Sequence, residues 1–394
     1  MIGHRLRAIA LLGAALLGAA ALPATARALP PAEPEETGSW IVVLKDGATP
    51  AATRSLAAGS GTEVAHVYES AVRGFAARMT SARAAELATD PDVAFVERDP
   101  QLHVLGAPTG SVRDTDPVLD AQAGATWGLD RVDQRDLPLD GTYGYETGAA
   151  NVTAYVIDTG ITAEHAEFGG RARTGYVASD RLTPGDCNGH GTHVAGTIGG
   201  ATYGVAKEIE LVAVQVADCQ GSASGSDVLA GIDWVSRNAT APAVANISMG
   251  GGLSPSLNTA VRNSVAKGIT YAVAAGNEAT SACMTSPASA PEALTVGATD
   301  RDDRVAEFSN YGSCLDLYAP GVSITSAWRT GGTATATGTS MATPHVTGAA
   351  ALYLAGHPAA APADVAAALT GRATPGRLTD VSSTSPDLLL YTGP

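Results

Sequence analysis

Three rhythms of apolar and polar residues follow one another along the 394-residue chain. The first is an unbroken apolar run, AIALLGAALLGAAAL, behind His4, Arg5 and Arg7 and ahead of Ala26-Arg27-Ala28. A basic start, a short apolar core and small residues at a cleavage position predict a secretory signal peptide over 1–28, cut after Ala28, rather than a retained anchor. No later apolar run approaches a membrane span without interruption. After the Pro/Glu-rich linker PPAEPEETGS the second rhythm begins. WIVVLKDG predicts a strand, the Ala-rich stretch at 50–60 a helix, and EVAHVYESAVRGFAARM two strands around a turn. SARAAELATDP predicts a helix and VAFVERD a last strand, so the order is β-α-β-β-α-β, that of a small ferredoxin-like α+β domain. A second linker, GAPTGSVRDTDP, precedes the remainder.

From Trp127 onward the rhythm changes again. The runs VTAYVID, IELVAVQV, VANISM, ITYAVAAG and ALTVGAT are apolar throughout and β-branched, and between them lie helical stretches, HGTHVAGTIGG, SDVLAGIDWVSRN and SPSLNTAVRNSVAKG. Strands without polar alternation, separated by helices, predict a mainly parallel sheet covered on both faces, an α/β fold. In such folds ligand chemistry gathers at the C-terminal ends of the strands. Asp158 and Asn277 stand at two of those ends.

Composition narrows this further. With 45% hydrophobic and 16% charged residues and 45 Gly, the chain suits a compact, loop-rich enzyme and not a disordered or fibrous protein. A formal net charge of -15 excludes nucleic acid as the natural partner and leaves carboxylates free for cations such as calcium. In an exported protein the four cysteines Cys187, Cys219, Cys283 and Cys314 read as two disulfides. Three pairings are open; 187–219 with 283–314 is favoured, each closing a loop of about 32 residues and contributing roughly 3–4 kcal/mol by chain entropy. The competing reading, zinc on Cys187, His190, His193 and Cys219, is weaker, because Cys219 has no closely spaced partner.

The stretch GTSMATPH at 338–345 carries the candidate chemistry. Alone, Ser340 reads as a helix N-cap; at a helix N-terminus it is also placed to be a nucleophile. Pro344 falls in the predicted first turn, where a proline loses no hydrogen bond. Asp158 alone reads as a turn aspartate, His190 as a packed helical histidine and Asn277 as a turn asparagine. Together they supply what a serine nucleophile needs: an imidazole base, a carboxylate to fix its tautomer and a donor for the oxyanion.

At AYVIDTGI, NGHGTHVAGTI, NISMGGG, AVAAGN and GTSMATPHVTGAAALYL the chain resembles the subtilisin-like serine proteases, and the order Asp158, His190, Ser340 is the subtilisin order. Within them it is most similar to the proteinase K branch and its aqualysin-like extracellular members, through WGLDRVDQRDLPL, DCNGHGTHVAGTIGG, ALTVGAT and FSNYGSCLDLYAPG. The likeness covers residues 39–394. Beyond the signal peptide read at 1–28, it implies a three-layer subtilisin-like domain over 121–394, an inhibitor-type prodomain over 29–106 and a processing linker over 107–120. It also implies that Ser340 attacks, His190 moves the proton, Asp158 orients it, and Asn277 with the Ser340 amide holds the oxyanion, while His193 is a packed second histidine. Gly221, Ser222 and Ala223, and Ser248, Met249, Gly250 and Gly251, match the two edges between which substrate lies extended. Gly250, Gly251, Ala275 and Gly276 then line a wide apolar P1 slot, with Glu278 at its rim. The resemblance pairs the cysteines 187–219 and 283–314. It places one structural calcium on Asp316, Pro291 and Ala293, and a second on Asp130, Asp133 and Gln134. Arg377 stands where a third, weaker site needs an Asp, so that site is not expected.

The expected partners are protein and peptide substrates and the chain's own prodomain, in a secreted monomer with no membrane or nucleic-acid partner. The first cut is expected near Leu105 or Gly106, with trimming towards Ala121. An α/β-hydrolase would need G-x-S-x-G and the order Ser, Asp, His, and a dinucleotide site would need G-x-G-x-x-G; neither is present. The remaining alternative is a catalytically inactive relative serving as a binding or inhibitory protein. The sequons at Asn151, Asn238 and Asn246 read as accidental, since two touch predicted strands.

Overall fold

The computed structural model describes residues 37–59, 63–110 and 121–393. The signal peptide expected at 1–28 and most of the processing linker lie outside them. The first described domain is a four-stranded antiparallel sheet in the order Glu63–Tyr68, Gly74–Thr80, Thr37–Leu44, Val93–Arg98, with helices Pro50–Gly59 and Ser81–Leu87. Val42, Leu44, Phe75 and Met79 pack against Ala57, Ala84 and Leu87 of the helices. Ile41, Val43 and Ala76 point the other way, into the larger domain, beside Leu257 and Val261. Both faces are therefore covered, which is why IVVL is apolar without alternation.

The larger domain is built on a nine-stranded sheet. Its order is Ala172–Val177, Glu210–Gln215, Thr153–Asp158, Ala243–Ile247, Thr270–Ala274, Leu294–Thr299, Leu317–Pro320, Leu388–Leu389 and Thr374–Pro375. Every pair is parallel except the last. Along Thr153–Asp158, Ala154 and Val156 face helices His190–Gly199 and Thr339–Gly356, while Tyr155 and Ile157 face Gly225–Asn238 and Pro255–Val265. This is a three-layer α/β domain. The helix Thr339–Gly356 is buried over nearly its whole length, so its lack of a polar face follows from packing on all sides.

Two smaller sheets matter for the site. One runs Ser222–Ser224, Gln101–Val104, Met249–Gly252, Thr285–Ser286, so a strand from the end of the first domain is inserted between two strands of the second. The other is Ile324–Ala327, Thr333–Thr337, Ala107–Gly110. Disulfides join Cys187 to Cys219 and Cys283 to Cys314.

Candidate active site

Asp158 ends its strand at the C-terminal edge of the sheet, fully buried. Its Oδ1 accepts from the Thr159 amide at 2.7 Å and faces His190 Nδ1 at 2.8 Å. His190 opens the helix His190–Gly199, and its Nε2 is buried with no hydrogen-bond partner. The loop before this helix is clamped by Asp186, whose carboxylate accepts from the amides of Asn188, Gly189 and Thr192 and from the hydroxyls of Thr159 and Thr192. Close approach of strand end and helix requires glycine at 191, where a Cβ would lie 2.1 Å from the Gly160 carbonyl oxygen. Cys187 and Cys219 are bonded to each other, which removes two of the four ligands of the zinc reading.

Ser340 is the second residue of the helix Thr339–Gly356, and its Oγ donates to the Ser248 carbonyl at 2.7 Å. Because the helix begins at Thr339, Pro344 lies beyond the first turn, correcting the expectation that no hydrogen bond is lost there. The carbonyl that a residue-344 amide would reach is that of Ser340, and it accepts from Ser248 Oγ at 3.1 Å instead. The proline is tolerated because a neighbouring hydroxyl takes its place.

The inserted strand passes directly over these groups. Opposite Ser222–Ser224 the register pairs His103 with Ser222, Leu102 with Ala223 and Gln101 with Ser224, and the Gly221 carbonyl accepts from the Val104 amide at 2.9 Å. Opposite Met249–Gly252 it pairs Val104 with Met249, His103 with Gly250 and Leu102 with Gly251. The Leu105 amide donates to the Ser248 carbonyl at 3.2 Å. Its own carbonyl oxygen accepts from Asn277 Nδ2 at 2.7 Å and from the Ser340 amide at 3.1 Å. Gly338 makes room for that oxygen, since a Cβ there would lie 2.0 Å from it. The Leu105 side chain packs close to Gly250, where a Cβ would be 3.1 Å from its Cδ1.

Sequence reasoning missed Thr339. Its amide and hydroxyl both donate to Asn277 Oδ1, at 2.9 and 2.8 Å, turning the Asn277 NH2 group towards the Leu105 carbonyl. The threonine of the G-T-S motif was the available signal. Thr339 Oγ1 also accepts from the Gly276 amide at 3.2 Å, while the Ala275 carbonyl accepts from Asn310 Nδ2 at 2.9 Å. Glu278 is exposed, and its carboxylate accepts from the same Asn310 amide group at 3.0 Å. His193 stays neutral: burial pushes it down to about 3, and its Nε2 donates to the carbonyls of Ile324 and Ala334.

Asp130, Asp133 and Gln134 come together around one turn. Asp130 accepts from the amides of Asp140 and Gly141, Asp133 from that of Gly144, and Gln134 Oε1 from that of Asp140. Burial, reinforced by Asp130 and Asp140, pushes Asp133 up to about 6. Asp316 accepts from the Thr295 amide at 2.7 Å, and burial raises it to about 6 as well. Hard oxygen donors whose charged form is penalised without a counter-ion have the chemistry that suits calcium. Among the described residues, no group of three or more His, Cys, Asp or Glu is placed to hold a metal ion by itself, so a calcium here would also need amide or carbonyl oxygens. Arg377 pairs with Asp136 at 2.6 Å.

Comparison with known proteins gives two family matches, the subtilase family over residues 149–387 and the peptidase inhibitor I9 family over 34–105. An extracellular serine proteinase from Thermus sp. (strain Rt41A) is 54% identical over 84% of this chain and 78% of its own length. Alkaline serine exoprotease A of Vibrio alginolyticus is 47% identical over 84% of this chain, which spans only 60% of that relative. The crystal structure of a cold adapted subtilisin-like serine proteinase matches with a TM-score of 0.66 at 50% identity, covering 68% of this chain and 99% of that one. With a matching family domain over most of the larger domain and an inhibitor domain ahead of it, the chain belongs to the subtilase family.

Proposed function

We propose that this secreted serine endopeptidase cleaves extended peptides through Ser340, His190 and Asp158, and that its first substrate is its own Leu105–Gly106 bond. One observation carries the reading: the Leu105 carbonyl oxygen lies between Asn277 Nδ2 and the Ser340 amide, while Ser340 Oγ belongs to the same helix turn. For attack, Ser340 Oγ swings from the Ser248 carbonyl towards the unpartnered His190 Nε2. His190 takes its proton, and Asp158 holds the Nδ1–H tautomer. The tetrahedral oxyanion is received by Asn277 and the Ser340 amide. His190 then hands the proton to the departing Gly106 nitrogen, leaving Leu105 esterified to Ser340 until water, deprotonated by His190, releases the acid.

The strands Ser222–Ser224 and Met249–Gly252 bind the unprimed side by backbone pairing, and Leu105 marks a preference for large apolar P1 residues. Asp130, Asp133 and Gln134, and Asp316 with the carbonyls of Pro291 and Ala293, are the groups that would hold calcium. It would stabilise the fold and take no part in the chemistry. The working division is a prodomain to residue 106, a linker over 107–120 and a catalytic domain from 121. Ser340→Ala tests the reading. The expected product is a folded precursor that keeps its prodomain covalently attached and lacks peptidase activity. Mature-sized, active Ser340→Ala protein from a protease-free host would overturn it, and an inactive wild-type protein would favour the binding or inhibitory alternative.

A further inference from the structure

Downstream of Leu105 the chain does not leave the surface. Gly106 sits against Met341, where a Cβ would meet its Sδ at 2.5 Å, and Ala107–Gly110 then adds an antiparallel strand to the edge of Thr333–Thr337. The register pairs Ala107 with Thr337, Pro108 with Ala336 and Gly110 with Thr335, and Thr109 Oγ1 donates to the Thr335 carbonyl at 3.2 Å. Pro108, which has no amide hydrogen to donate, lies where the register shifts. Farther along, Ala121–Ala123 already pairs with Thr142–Gly144. Gln122 Oε1 there lies 2.8 Å from the buried Lys207 Nζ, whose three protons are shared with the carbonyls of Ala201, Thr202 and Gly204 at 3.0–3.2 Å. Both ends of the linker are thus seated while the Leu105–Gly106 bond is intact, and ten residues, 111–120, join them in the sequence.

We propose that after the first cut this chain's own Gly106–Gly110 stays paired to the edge of Thr333–Thr337 as a tethered product and blocks the primed side of the cleft. The inference depends on Leu105–Gly106 being the first bond cut. Cleavage there frees the prodomain's carboxyl end, but the new amino terminus belongs to the catalytic chain and is anchored again at Ala121. A segment held this way competes at an effective concentration on the order of millimolar. A substrate reaching past P1′ must displace it. The first cut therefore leaves the primed side blocked, and trimming towards Ala121 opens it.

The test uses the maturing full-length protein. Chains beginning at Gly106 are isolated early, chains beginning at Ala121 late, and both are freed of the prodomain. Each is assayed on an internally quenched peptide spanning P4 to P5′ and on a P4–P1 anilide. The Gly106 form should show a KM for the quenched peptide about tenfold higher at equal kcat, with a smaller difference on the anilide. The gap should close in the Ala107→Pro/Thr109→Pro double variant and on deletion of 107–110, because neither can form the strand. Equal KM values on both substrates would overturn the proposal. So would a gap that survives both alterations, or a first product that begins at Ala121 with no longer form at early times. Failure of the Ser340 reading is distinct from all of these, because then no wild-type form would hydrolyse either substrate in a Ser340-dependent way.

Discussion

Asn277 is held by both ends of its amide: Thr339 donates to the oxygen, and the nitrogen donates to the Leu105 carbonyl, the group that the proposed reaction attacks. Replacing it with Ala removes one oxyanion donor and leaves the strand pairing intact, so kcat should fall about 10²–10³-fold with KM little changed. Steady-state kinetics on a P4–P1 anilide reads this directly, and a rise in KM at constant kcat would contradict it. Two other residues set a pH response. Burial pushes His193 down to about 3 and His345 to about 4, against about 6.5 for an ordinary histidine. Between those values the unfolded chain takes up protons that the fold does not, so stability is fully present above about pH 6.5 and is lost as the pH falls. Denaturant midpoints of the Ser340→Ala precursor should drop from pH 7 to 5, and His345→Gln should remove about half of the part these two contribute.

At the scale of elements, Ser222–Ser224 and Met249–Gly252 are two strands that do not pair with each other, and Gln101–Val104 fills the place between them. Gly251 must be glycine, since a Cβ there would lie 2.4 Å from the Gln101 carbonyl oxygen. Two carboxylates then fasten the prodomain to helix starts. Glu97 accepts from the hydroxyls of Ser254 and Ser256 at the head of Pro255–Val265, and Asp99 accepts from the Ser226 amide and hydroxyl at the head of Gly225–Asn238. Charge-assisted bonds of this kind at helix N-termini contribute about 1.5–3 kcal/mol each. Glu97→Gln with Asp99→Asn should therefore weaken inhibition by the cleaved prodomain by at least roughly tenfold. An unchanged inhibition constant would show that the inserted strand alone holds the complex. These elements also mark how far the sequence could be read. Runs such as VTAYVID were legible because burial on both faces leaves no other residue type possible. Ala172–Val177, reading ARTGYV, was not, because it is an edge strand with Arg173 and Thr174 exposed. APTG at 107–110 reads as linker, because its extended form comes only from the partner strand. Ser340 looked locally like a cap, and only Asp158, His190 and Asn277, far away in sequence, gave it another meaning. Thr339 stayed hidden because its role depends on an asparagine 62 residues away.

For the whole molecule, the loops around the site are stapled while the calcium candidates stand apart from the chemistry. The Cys187–Cys219 bond joins the loop entering His190 to the turn before Ser222, and Cys283–Cys314 ties the segments after Asn277. By contrast, among the described residues neither Asp130, Asp133 and Gln134 nor Asp316 hydrogen-bonds to Asp158, His190, Ser340 or Asn277. An ion bound only by the fold stabilises it by about 2.7 kcal/mol at a hundredfold excess over Kd, without altering the reacting groups. Chelation should therefore lower the inactivation temperature of the mature enzyme by several degrees while the initial rate on a peptide anilide stays within a factor of about two. Added calcium should restore the tolerance. Asp133→Asn and Asp316→Asn should each abolish part of the response, because each removes a carboxylate that burial holds at about 6 and that a cation would return to its charged form. A prompt loss of activity on chelation at 25 °C, not reversed by calcium, would instead put a metal in the catalytic machinery. With Cys187 and Cys219 spent on each other, no zinc set of the kind the sequence allowed is left to hold it.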